Sequence, residues 1–193
     1  MYRKIKGSTF VVTCLVILLG LFVSCESDDN AFEELEKLRK QEVALRTEYI
    51  DSNHKGAKPV YGGVYVLPDP NQPQEDVKEA IQHGDVVSVY YEGYLLEKGA
   101  DGVKLKEKRF DGNFDYDTGS GKVTPFSLDV VDLEKYPNAA SRVISGWQIA
   151  LCHMHVGERA EVVIPSHHGY GSYPSPIGSF QTLVFFLEVE SKD

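Results

Sequence analysis

From residue 84 onward, apolar and polar positions alternate with a period of two. Val87, Val89 and Tyr91 alternate within the run from Asp85 to Leu95, and Leu183, Phe185, Leu187 and Val189 do so near the C-terminus. Ala160, Val162 and Ile164 form a third short run, and Pro125 to Val130 a fourth. Side chains of a strand point to opposite faces in turn, so each run predicts a half-buried strand. Before them, Tyr61 to Leu67 reads as a strand stopped by the turn cluster Pro68-Asp69-Pro70-Asn71, and Gln72 to His83 as polar connection.

Two segments break the alternation with helical spacing. Asn30 to about Asn53 carries Ala31, Leu35, Leu38, Leu45 and Tyr49 at steps of three and four or their multiples, a narrow stripe that Glu42 interrupts. Asn30 followed by Glu33 is an N-cap signature. Such a stripe suits a seam between two copies of the chain, making residues 30–53 a candidate homodimer element. A helix lying on its own domain, or a plain stalk, fits it better. The second segment is short: Ser145 with Gln148 spells a capping box, and Gly157 stops the helix soon after Met154. Runs of strands with one short helix predict an α+β fold, an antiparallel sheet with a helix on one face and an N-terminal helix before it.

The first residues are of another kind. Arg3, Lys4 and Lys6 precede an apolar run from Val11 to Val23, 13 residues long. A bilayer-spanning helix needs about 20, so residues 1–24 are expected to be a secretory signal peptide. Leu21-Phe22-Val23-Ser24-Cys25 resembles a bacterial lipobox, with Phe22 in place of the usual Leu, which implies lipidation at Cys25. Glu26-Ser27-Asp28-Asp29 would be the acidic tether beside the membrane, resembling the export tag of surface lipoproteins. Without residues 1–24 the balance is 17 basic against 29 acidic side chains, a net −12. That charge excludes a nucleic-acid partner, which needs a basic footprint. Acyl chains rather than basic residues would hold such a protein to a membrane. Cys152 is left alone, so packing rather than disulfides must stabilise the mature chain.

Three arrangements resemble catalytic or ligand sites and fail on their chemistry. Asp117-Thr118-Gly119-Ser120 matches an aspartic-protease motif, but that reaction needs a second carboxylate motif, absent from this sequence. Gly119-Ser120-Gly121-Lys122 lacks the spacing of a phosphate loop, with Val123 at the Ser/Thr position. His153, His155, His167 and His168 have no carboxylate or thiolate at a recognised metal-ligand spacing, so no metal is expected.

Eight pieces in order carry the stronger signal: Val89-Tyr90-Tyr91-Glu92-Gly93, Phe110-Asp111-Gly112-Asn113, Pro125-Phe126 and Val143-Ile144-Ser145-Gly146-Trp147, then Met154 with Val156-Gly157-Glu158-Arg159, Ile164-Pro165-Ser166, Gly169-Tyr170-Gly171 and Leu183-Val184-Phe185. In order and spacing, residues 84–190 resemble the FKBP family of peptidyl-prolyl isomerases. The resemblance implies a curved antiparallel sheet wrapping a short helix, with an aromatic pocket between them. Trp147 would form the floor, and Tyr91, Phe126, Val143, Ile144 and Phe185 the walls. Phe110 and Asp111 would supply a ring and a carboxylate, Tyr170 a rim hydroxyl and Ile177 an apolar lip. The Ile144 N–H would donate to a substrate carbonyl.

The implied organisation is a signal peptide over 1–24, a tether, helix and linker over 25–59, and an isomerase domain over 60–193. The implied activity is cis–trans isomerisation of proline-containing polypeptides at a bacterial envelope, periplasmic or on the cell surface, with no cofactor. A non-catalytic binding module or chaperone using the same groove is the rival. Two departures bear on the site. An insertion between Gly93 and Pro125 duplicates Phe-Asp, at Phe110-Asp111 and Phe114-Asp115, and the first is preferred because Gly112-Asn113 continues the family pattern. The loop after Tyr170 is short, with Gly178-Ser179 where the family usually has two prolines.

Overall fold

The computed structural model describes residues 27–113, 124–173 and 175–193. By its contacts the chain divides into a unit ending at Lys37 and a second comprising Leu38–Asp193. The first, where described, is the opening of helix α1 (Ser27–Asn53), on which Phe32 and Leu35 are exposed. The helix begins before Asn30, so Asn30 lies inside it rather than capping it, a correction to the sequence reading.

The second unit is built on an antiparallel sheet. Its strands are β1 (Tyr65–Pro68), β2 (Val86–Gly99), β3 (Gly102–Leu105), β4 (Asp111–Gly112), β5 (Phe126–Asp129), β6 (Arg159–Ile164) and β7 (Leu183–Lys192), and its short helix is α2 (Ser145–Leu151). The order is β1-β6-β7-β2-β3, with β4 and β5 also paired to β2. β2 is the axis of the sheet. One edge pairs with β7 from Val87 to Leu95, and residues of the strand also pair with β5, β4 and β3 in succession. The pairing shifts register between Ser88 and Val89, a bulge of the kind that bends a strand. The expected strand from Tyr61 instead opens with a 3₁₀ turn at Tyr61–Gly63, where Gly62 and Gly63 take positive φ, and extends only from Tyr65.

Alternation sorts the strand residues onto two faces. Val87, Val89, Leu95, Ala160, Val162, Ile164, Leu183, Phe185, Leu187 and Val189 join Trp147, Ile149, Ala150, Leu151 and Met154 in the main core. Part of the opposite face is also buried: Val163 and Val184 are wholly inaccessible and share a second cluster with Tyr49 and Ile50 of α1, Leu96 and Val103. Helices therefore pack on both faces, so of the alternatives for residues 30–53 the stretch around Tyr49 and Ile50 lies on its own domain. Full burial of each such side chain stabilises the fold by about 1.5–3 kcal/mol.

Glu42 does not interrupt the apolar face of α1; it is buried with it, at 4% exposure. Ser145 does not cap α2, whose N-cap residue is Ile144 with no side-chain cap bond. Gln148 serves elsewhere: its Oε1 accepts from the Val131 N–H (2.7 Å) and its Nε2 donates to the Asp129 carbonyl (2.9 Å). It thereby ties the segment after β5 to the helix.

Candidate functional site

At the start of α2, Trp147 is 4% exposed and forms the floor of a box of rings. Its ring centroid lies 4.9 Å from Tyr91 on β2, 5.3 Å from Phe185 on β7 and 6.1 Å from Phe126 on β5, each edge to face. Phe110, just before β4, stands edge-on to Phe185 at 5.5 Å. Such T-shaped pairs match the positive rim of one ring to the negative face of the next. Three strands, the segment before β4 and a helix supply one ring each, so the box exists only when the sheet has closed. Gly93 makes room for it: a Cβ there would meet Phe185 at 2.7 Å and Phe110 at 2.9 Å. Val143, Ile144 and Ile177 are half-buried against the same core.

The polar groups gather at one side of the box. The Tyr91 hydroxyl donates to Asp111 Oδ2 at 3.2 Å. Burial, then the Asp111 charge and this bond, push the Tyr91 phenol up to about 12. Tyr170 is raised too, by burial and then Asp111, although its residue is 44% exposed at the rim. Both hydroxyls therefore keep their protons, and their donor capacity, at neutral pH. The indole N–H of Trp147 is buried without a hydrogen-bond acceptor among the described residues.

The sequence-predicted residues Tyr91, Phe110, Asp111, Phe126, Val143, Ile144, Trp147, Tyr170, Ile177 and Phe185 thus lie on elements around one core. Among them the rings of Tyr91, Phe126 and Phe185 meet over Trp147, and Asp111 accepts from the Tyr91 hydroxyl beside them. Phe110-Asp111 stands at the pocket, while the alternative Phe114-Asp115 lies outside the described residues, as do Cys14, Cys25 and the motif at 117–120. Ile144, at the N-cap of α2, has φ −57° and ψ 144°.

Supporting residues were less legible. Asn113 accepts the Tyr91 N–H at its side-chain oxygen (2.7 Å) and donates to the Val89 carbonyl (3.2 Å), holding β2 beside the pocket with side-chain bonds. Ser145 Oγ lies 2.9 Å from His168 Nδ1, linking α2 to the 3₁₀ turn Ser166–His168. His153 and His155 also have local partners: His153 Nδ1 sits 3.0 Å from the Ile149 carbonyl and His155 Nδ1 3.0 Å from Glu158. An Asn beside a Gly and a Ser before a Gly are common turn residues, so nothing in their spacing marked these roles. A separate depression of about 1100 Å³ lies among Tyr94, Glu92, Phe186, Glu161, His54 and Arg159. Its lining sets one edge-to-face ring pair, Tyr94 and Phe186 at 5.9 Å, among charges of both signs, unlike the ring cluster over Trp147.

Comparison with known proteins accords with this geometry. The profile of the FKBP-type peptidyl-prolyl cis-trans isomerases matches residues 77–190. FK506-binding protein 2 of Emericella nidulans is 35% identical over 111 residues, 55% of this chain and 66% of that protein; the chain thus spans just under two thirds of that relative's length. Among solved structures, FkpA from Escherichia coli has a TM-score of 0.55 at 26% identity, covering 98% of this chain and 75% of that one. A peptidyl-prolyl cis-trans isomerase from Pseudomonas syringae pv. tomato has a TM-score of 0.52 at 25% identity, covering 82% and 95% respectively.

Proposed function

The chain belongs to the FKBP-type peptidyl-prolyl cis-trans isomerase family, and from that premise we propose that its aromatic box isomerises X-proline bonds in polypeptides exported to a bacterial envelope. The observation that carries the reading is the convergence of Tyr91, Phe110, Phe126 and Phe185 over Trp147, with Asp111 and Tyr170 at one side.

Rotation about a peptide bond meets a barrier of about 18–20 kcal/mol, because resonance gives the C–N bond double-bond character. X-Pro bonds populate both isomers yet exchange over tens of seconds or longer, so acceleration matters to folding. No bond is broken and no nucleophile is required. The twisted transition state has lost amide resonance and is less polar than the planar amide. A dry box of rings therefore holds it better than it holds the ground state, and that difference is what lowers the barrier. Trp147 and Phe185 would pack the proline ring, Tyr170 would donate to a substrate carbonyl, and Asp111 would anchor the Tyr91 hydroxyl and set the polarity of that wall. No cofactor enters these steps.

Lipidation at Cys25 and an outer-membrane location, periplasmic or surface-exposed, are part of the proposal. They rest on the lipobox-like sequence and the acidic residues after it. Among the described residues no helix is long and apolar enough to cross a membrane. Pairing of two copies through residues 30–53 is supported by the exposure of Phe32 and Leu35, whereas Tyr49 and Ile50 are already covered by their own sheet.

The test is isomerisation of a short X-Pro peptide by the full chain, beside a Tyr170→Phe variant. Acceleration that falls in the variant places the activity at this rim. A folded wild-type chain that leaves the isomerisation rate unchanged refutes the catalytic reading and leaves a binding module that uses the same groove.

A further inference from the structure

The rim of the pocket is an excursion of the chain between β6 and β7, from Ser166 to Thr182, and it carries both Tyr170 and Ile177. Connecting segments of this kind are commonly the more mobile parts of a fold. Two sets of backbone bonds within it bear on Tyr170. The Ser166 carbonyl accepts from the N–H groups of Gly169 (3.0 Å) and Gly171 (2.8 Å), the two neighbours of Tyr170. The Gly171 carbonyl in turn accepts from the Phe180 N–H at 2.8 Å. The orientation of Tyr170 thus depends on the Ser166 peptide and on the return of the chain through Phe180 to Thr182.

Both ends of this excursion meet one buried carboxylate. Glu42 Oε1, from α1, accepts the Ser166 N–H at 3.2 Å and the Thr182 hydroxyl at 2.6 Å. Arg46, one turn along the helix, pairs with the same oxygen and reaches Thr182 Oγ1 at 3.4 Å. Ser166 and Thr182 are each 4% exposed, so these bonds form away from water. Bonds to an ionised acceptor are shorter and stronger than neutral ones, and burial of the carboxylate makes its loss costly. Glu42 also lies outside residues 77–190, which match the family, so this support belongs to the chain's own N-terminal extension.

We propose that Glu42 is a positioning residue for the substrate rim: by fastening Ser166 and Thr182 it closes the Ser166–Thr182 loop into the shape that presents Tyr170 and Ile177 to substrate. It acts through the loop and does not touch the pocket. The inference rests on the assignment of the aromatic box as the substrate site. Loss of the clamp frees the rim but leaves the floor, so it weakens binding of the planar and twisted substrate alike. Uniform loss of that kind raises KM and leaves kcat almost unchanged.

Trp147 is the sole tryptophan of the chain and sits in the pocket floor, so its fluorescence reports peptide binding without turnover. The experiment measures, in the full chain, peptide Kd by that signal, kcat and KM by isomerisation, and amide exchange at Gly169 and Gly171. Glu42→Ala is expected to weaken Kd and raise KM about five- to tenfold, to keep kcat within about twofold, and to speed exchange at both glycines by tenfold or more. Glu42→Gln, which keeps an acceptor oxygen without the charge, should recover part of each loss. Ile50→Ala in the same helix is the control, lowering thermal stability through the outer cluster while leaving Kd unchanged. Should Glu42→Ala misfold, Thr182→Val removes the hydroxyl that donates to Glu42, and with it the long contact from Arg46, and should move the same readouts in the same direction by a smaller amount. Unchanged Kd and exchange in the folded Glu42 or Thr182 variants, or an equal change in Ile50→Ala, overturns the proposal. An inactive wild type that still binds peptide through this clamp would instead sink the isomerase reading and leave the clamp standing.

Discussion

Replacing Trp147 with leucine removes the floor of the aromatic box while keeping an apolar side chain at the start of α2. The three edge-to-face contacts it forfeits lie at 4.9, 5.3 and 6.1 Å. Each such pair contributes about 0.5–1.5 kcal/mol beyond its buried area, so their combined loss is on the order of 3 kcal/mol. One term opposes this. The indole N–H is buried without an acceptor among the described residues, and its removal recovers the desolvation of an unsatisfied donor, about 1–3 kcal/mol. Leucine also fills less of the floor, and the buried volume lost costs about 1–2 kcal/mol more, so the net loss of stability should be about 2–3 kcal/mol, a fall in Tm of roughly 4–12 °C for a chain of this size. On the proposed mechanism activity has no such offset, because the floor would hold the twisted amide. kcat/KM should drop at least tenfold, the equivalent of about 1.4 kcal/mol in the barrier. Thermal unfolding followed by circular dichroism gives the first quantity and a peptide isomerisation assay the second, at a temperature where the variant is folded. A folded Trp147→Leu protein with kcat/KM within threefold of wild type would refute the role of the floor. A Tm loss beyond about 15 °C would refute the offset.

Tyr170→Phe should lower kcat/KM about three- to tenfold with little change in Tm, because the hydroxyl sits at a half-exposed rim; a kinetic comparison at pH 7.5 checks it. The Tyr91 phenol, held up to about 12 against an ordinary value near 10, keeps its proton in the folded state after the unfolded chain has lost it. The unfolded state then binds fewer protons, so stability falls as pH rises between about 10 and 12, and Tyr91→Phe should flatten that part of a denaturation-against-pH curve. Gly157→Ala should destabilise by about 2 kcal/mol or more, read from urea unfolding, since Gly157 has φ +83° and an added Cβ would lie 2.0 Å from the Asp76 carbonyl oxygen.

The pocket rings were legible because their order along the chain is specific even where each piece is not. Trp147, Tyr91, Phe126 and Phe185 fall on alternating strand positions or at the start of a short helix, and both patterns follow from local periodicity. Helix ends were less legible. Asn30 and Glu33 match a cap by composition, yet α1 starts at Ser27. Ser145 and Gln148 match a capping box, yet each is taken by a tertiary partner, Ser145 by His168 and Gln148 by Asp129 and Val131. A polar side chain between two apolar ones looks the same in sequence whether it faces water or a buried donor.

Period-two alternation, read along one strand at a time, determined that this protein is a sheet with an inner apolar face, and the order of its motifs carried the family resemblance that implies which aromatics line a pocket. Such information is local: it comes from the geometry of one strand or one turn of helix. Only the tertiary structure decided that part of the second face is buried too, with Val163 and Val184 covered alongside Tyr49 and Ile50 of α1. It alone brought Glu42 to Ser166 and Thr182, 124 and 140 residues away along the chain. Contacts at that separation form because burial of apolar surface brings α1 onto the sheet. Which polar group then meets which donor depends on where the packed side chains leave it.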